Sequence, residues 1–192
     1  MVGDFEISLK FAKRSSMNNP RNLTLIGMIF LAALSRLIPH PWNVAPITAM
    51  ALFAGSHFEN KRRAFGVPLL AMLLSDCIIG FYSTMWSTYV AFSLIVLIGF
   101  WIGDQRSFSR IAAGTLAGSV LFFVVTNFAV WTFAGLYPRT AEGFVACYTM
   151  ALPFFRNTLL GDAFYSAVMF GSFALAERSV PTLKLSPSST PN

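Results

Sequence analysis

Apolar residues run along this chain in long stretches broken by short polar joints, without the strict alternation of a half-buried strand or the polar stripe of a surface helix. A hydrocarbon core of about 30 Å is crossed by about 20 helical residues. Against that length the pattern predicts an all-α bundle of six transmembrane helices, over Leu23 to Pro39, Val44 to Phe58, Ala64 to Phe81, Ser87 to Gly103, Ile111 to Gly135 and Asn157 to Glu177. The uninterrupted apolar part of the first is only Leu23 to Ser35, so Arg36 must snorkel to an interface for that helix to span. The fifth joint, Leu136 to Phe155, is the longest, and its apolar stretch Phe144 to Leu152 is too short to cross. It is expected to form a re-entrant or interfacial helix ending at Pro153.

Basic residues orient such a bundle. Lys10, Lys13, Arg14 and Arg21 precede the first span, Lys61, Arg62 and Arg63 join the second to the third, Arg106 and Arg110 join the fourth to the fifth, and Arg178 and Lys184 follow the sixth. That places eleven on one side; the other side has Arg139 in a loop, with Arg36 and Arg156 near helix ends. The positive-inside rule then predicts both termini in the cytoplasm and an even number of spans. A secretory signal peptide is the competing reading of the N-terminus, but Arg36 and Pro39 stand where a small-residue cleavage site belongs. The expected organisation is a cytoplasmic N-terminal segment over 1–22, a transmembrane domain over 23–177, and a Ser- and Pro-rich disordered cytoplasmic tail over 178–192.

Composition strengthens this picture. The 192 residues are 55% hydrophobic and only 11% charged, where soluble domains carry about 25% charged residues. Mean hydropathy is +0.62. A cytosolic enzyme, a secreted disulfide scaffold and a free DNA-binding domain are excluded. Fourteen Lys and Arg against eight Asp and Glu give a net charge of +6, which here serves orientation and anionic lipid, with no nucleic-acid partner implied. Cys77 and Cys147 have neither CxxC spacing nor His-rich neighbours, so no metal site and no cofactor follows from them.

The polar residues inside the spans gather toward the side away from the basic joints. Arg36, Asp76, Asn127, Arg156 and Asp162 all fall in the outer halves of their helices, and His40 and Asn43 lie in the first outer joint. Ionisable groups inside a bilayer cost about 2.5 to 3.5 kcal/mol each on insertion scales, so they are expected to face the bundle interior, pair, and mark a site. Taken singly, Asp76 with Arg36 or Asp162 with Arg156 reads equally as a structural ion pair. Gathered under aromatic outer loops, the seven are expected to line an outward cavity for a small-molecule ligand. His57 reads as an interfacial residue without chemistry. Gly114-xxx-Gly118, Ala51-xxx-Gly55 and Ala167-xxx-Gly171 are small-residue pairs that allow close helix approach, and one of them could dock a partner helix. No catalytic triad, HExxH or P-loop is present, so the chain is not expected to be an enzyme.

The segments Arg36 to Gly55, Pro68 to Gly80, Phe122 to Trp131 and Cys147 to Asp162 resemble a family of small bacterial integral membrane proteins of unknown function. That family is similar in size and six-helix layout to the substrate-binding S components of energy-coupling-factor vitamin transporters. The resemblance implies a multi-pass protein of the bacterial inner membrane. It would bind a vitamin-like molecule from outside and associate with an energising module of ATPase and coupling subunit. S components often carry Ala-xxx-Ala-xxx-Ala in their first helix, where this chain reads Gly27-xxx-Leu31-xxx-Ser35. The alternative function is a non-catalytic membrane scaffold that recruits partners through its small-residue faces.

Overall fold

The computed structural model describes residues 19–184 except 40 and 42. Among the described residues there are six α-helices, one 3-10 turn and no strand. The helices are α1 (Pro20–Ser35), α2 (Ile47–His57), α3 (Lys61–Ile79), α4 (Met85–Ile102), α5 (Phe108–Phe133) and α6 (Ala141–Ser179), and the turn is Pro181–Leu183. All six lie where apolar stretches predicted helices. Among the described residues, α4, α5 and α6 are long and apolar enough to cross a membrane, while α1 and α2 are shorter apolar helices. Their starts follow ordinary capping: Asn19, Asn60, Ser107 and Thr140 each accept a hydrogen bond from an amide in the first turn of α1, α3, α5 and α6.

The second predicted span is the first correction. α2 has 11 residues, about 16 Å at 1.5 Å per residue, roughly half a hydrocarbon core. Pro39, Pro41 and Pro46 interrupt the chain before it and withhold backbone donors, so helix starts only at Ile47. Every residue from Thr48 to His57 is buried, and α1, α3, α4, α5 and α6 all pack against it. α2 is therefore the axis of the molecule. Close approach on its α4 side requires glycine: a Cβ on Gly55 would lie 2.3 Å from the Val96 carbonyl oxygen and 2.8 Å from the Gly99 Cα.

The second correction concerns the expected re-entrant segment. Phe144 to Leu152 is not a separate element; it belongs to α6, a single helix of 39 residues with Pro153 inside it. A proline removes one backbone donor and crowds the carbonyl four residues earlier, and here packing along α5 holds both sides of the break. The Tyr148 hydroxyl donates to the Val124 carbonyl at 2.8 Å, the Cys147 thiol to the Asn127 carbonyl at 3.6 Å, and Phe123 meets Phe155 with ring centroids 4.5 Å apart. The joint between the helices is fixed by Trp131, whose Nε1 donates to the Pro138 carbonyl at 3.1 Å. α5 and α6 are thus one long hairpin.

Several helix ends meet one another. Arg21 at the start of α1 pairs with Glu177 at the end of α6 and donates to the Leu183 carbonyl at 2.6 Å, while Arg106 before α5 donates to the Ser56 carbonyl at the end of α2, 3.2 Å away. The described basic joints therefore share one end of the bundle, and Arg36 lies at the other. After α6, Leu183 in the short turn is buried; residues 1–18 and 185–192, which hold most of the two predicted terminal segments, lie outside the described residues. His57 ends α2 at the same pole. It is buried, its Nδ1 is 2.9 Å from the Phe53 carbonyl oxygen, and its ring packs against Phe53, Phe170 and Phe173.

Candidate functional site

Because α2 begins deep in the bundle while α4, α5 and α6 continue past it, space is left above its first turn. A cavity of about 360 Å³ occupies that space, at the end opposite the basic joints. Its floor is Ile47, Thr48 and Asp162, and its walls are Ser87 and Thr88 of α4, Phe122, Thr126 and Val130 of α5, and Thr158 of α6. Arg36, Asn43, Ile79, Tyr82 and Thr84 surround its mouth. A second cavity of about 250 Å³ shares Asn43, Phe122, Thr126 and Thr158 with the first and adds Asn127, Phe154 and Phe155. Asn43 bridges the two from a left-handed backbone at φ 62°, a conformation asparagine tolerates better than bulkier residues.

The charges of the site separate into two groups. The Arg36 guanidinium donates to Asp76 Oδ1 at 2.7 Å and to the Ser75 hydroxyl, and the Tyr89 hydroxyl donates to Asp76 Oδ2 at 2.7 Å. Asp76 is 2% exposed and its pair with Arg36 closes the α1 and α3 side of the cavity. Asp162, also 2% exposed, has no cationic partner among the described residues. Instead the Ser119 hydroxyl donates to its Oδ2 at 2.6 Å, and the backbone amide and hydroxyl of Thr48 donate to its carboxylate. Asp162 thereby caps α2 from a neighbouring helix, where the first-turn amides and the positive end of the helix dipole favour an acidic oxygen.

Of the seven residues singled out from the sequence, Arg36, Asn43 and Asp162 line the first cavity, and Asn43 and Asn127 line the second. Asp76 lies behind Arg36 and reaches the cavity only through it. Arg156 lies apart: it is exposed on α6, lines neither cavity, and does not pair with Asp162. His40 is outside the described residues. Cys77 is exposed and lines neither cavity.

The hydroxyls were missed. Thr48, Thr84, Ser87, Thr88, Thr126 and Thr158 supply most of the polar lining, and a seam of Thr115, Ser119, Asp162 and Ser166 joins α5 to α6 below it, with Thr115 donating to Ser166 at 3.0 Å. The available signal was spacing by four: Thr115-xxx-Ser119 on one helix and Thr158-xxx-Asp162-xxx-Ser166 on the other put polar groups on one face. Single hydroxyls in apolar helices are easily overlooked because they satisfy themselves on their own backbone, as Thr126 does on the Phe122 carbonyl and Thr158 on that of Phe154.

The small-residue pairs have internal uses. Gly114 faces Ile102 and Ile98 of α4, Gly118 faces Thr48 and Ile95, and Ala51 and Gly55 are buried in α2. Only Ala167 and Gly171 are exposed. In comparisons with known proteins, a family described as Family of unknown function (DUF6580) matches residues 16–183. No curated protein and no solved structure matches the chain.

Proposed function

We propose that this chain, a member of that family of unknown function, is a membrane-embedded substrate-binding subunit or small carrier for a vitamin-like molecule. The observation that carries this reading is the 360 Å³ cavity above α2, built from a short helix inside longer ones and lined by hydroxyls, an amide and two opposite charges. A volume at the lower end of the usual range for small-molecule sites suits a compact ligand, and polar groups converging in an otherwise apolar bundle supply its orientation. The surface supports a lipid environment, since Leu31, Leu70, Ile78, Trp101, Leu116 and Phe164 are all exposed. With the basic joints facing the cytoplasm of a bacterial cell, the cavity opens outward.

The scaffold reading would rest on Ala167 and Gly171, which are exposed, since Gly114, Gly118 and Gly55 are used in packing the bundle itself. A thermal-shift screen of the purified full chain against vitamins and their precursors tests the proposal. A specific ligand at 100 times its dissociation constant adds about 2.7 kcal/mol of stability. A flat screen at saturating concentrations would return the chain to the scaffold class.

A further inference from the structure

The charge balance of the cavity is uneven. Among the described residues, Arg36 is the one cation on its lining, and it is already neutralised by Asp76, whose second oxygen is held by Tyr89. Asp162 faces the same space and, among the described residues, meets only neutral donors. We infer that the cavity takes a small organic cation, a protonated amine or a charged heteroaromatic ring, with Asp162 as its counter-charge. This rests on the binding-subunit reading and names the class of its ligand.

Three features argue for an organic cation over other occupants. A carboxylate has about four acceptor positions, and Ser119 and the two Thr48 donors take three of them; one remains for a ligand N–H. The ring of Phe122 and the phenol of Tyr82 flank the same space, a lining that accommodates a diffuse cation. A bare metal ion fits poorly, because it needs several oxygen ligands, whereas Asp162 is the one acidic side chain on the described lining and has a single acceptor position left. An anionic ligand would have to lie beside Asp162 with Arg36 already engaged. A buried carboxylate that is met only by dipoles leaves attraction unused, and a cation entering from water meets it in a medium of low dielectric.

The test uses three probes of one shape, benzylamine as the cation, benzyl alcohol as its neutral counterpart and benzoate as the anion, with the full chain in detergent at neutral pH. Benzylamine is expected to raise the melting temperature in a saturable manner, with the other two giving little. Asp162→Asn is expected to weaken benzylamine binding by about tenfold or more, as loss of one partner of a buried charge pair does. If that variant fails to fold for want of its cap on α2, Thr126→Lys and Thr126→Met serve in its place: the lysine supplies an internal cation and should abolish the shift, while the methionine, equally long and uncharged, should retain more of it. Preference for benzoate or benzyl alcohol, or equal shifts in the lysine and methionine variants, would overturn the inference. Stabilisation by a neutral or acidic vitamin with none by benzylamine would overturn it while leaving the binding-subunit reading intact; no stabilisation by any compound removes both.

Discussion

At the scale of single residues, the interior is governed by pairs that cannot be broken on one side only. Asp76 is buried and Arg36 nearly so, and each answers the other. Asp76→Asn should destabilise the bundle by about 3 to 5 kcal/mol, since it strands a guanidinium, whereas replacing Arg36 and Asp76 together by Met and Leu should restore much of that loss. Unfolding midpoints in mixed micelles read both outcomes. The glycines make a sharper contrast. A Cβ on Gly99 would meet the Leu52 carbonyl oxygen at 2.7 Å and the Gly55 Cα at 2.8 Å, both backbone atoms, while one on Gly66 meets nothing within 4 Å. Gly99→Ala is expected to cost about 1 to 3 kcal/mol as an overpacking change. Gly66→Ala should be neutral or stabilising by up to about 1 kcal/mol, because it is a helix-interior glycine with room to spare. Equal effects for the two would mean that α2 and α4 do not meet as described.

Among the elements, α6 is the one whose course the chain pattern concealed. Pro153 and the polar joint after Leu136 read as the end of a separate short helix, because proline is the strongest local stop. What keeps the helix continuous is nonlocal: Tyr148, Cys147 and Phe144 lie along Val124, Asn127 and Trp131 of α5, and no periodicity within residues 141–156 reports that. A cysteine pair checks it. In a Cys77→Ser background, Asn127→Cys should cross-link readily to the native Cys147 with a short thiol reagent, whereas a cysteine at exposed Val145 should not. Failure of the first pair would return residues 144–152 to a separate element. The cavity was legible in part for the same reason. Its charged members stand out against apolar helices, but the shared floor depends on α2 being short, and that follows from three prolines whose combined effect shows only once the other helices run past.

For the whole molecule, Arg21 lies beside Glu177 and Arg106 beside the Ser56 carbonyl at one pole. If that pole faces the cytoplasm, reporter fusions after Asn192 and in the joint around Arg139 should lie on opposite sides of the membrane, and the same side for both would remove the outward cavity.

The enclosure of α2 also constrains how the protein is made. A helix of eleven residues, three of them polar, cannot hold a place in the bilayer alone. As the ribosome delivers it, α2 therefore depends on neighbours not yet synthesised, chiefly α4, whose Gly99 and Ile95 faces belong to the same buried cluster. A nascent chain stopped after Asn60 should leave this segment extractable by alkaline carbonate or open to protease, and one extended past Gly103 should protect it. Integration of this protein is then a matter of completing a sheath around a late-settling axis, and chaperone or insertase demand should peak while α4 is still in the exit tunnel.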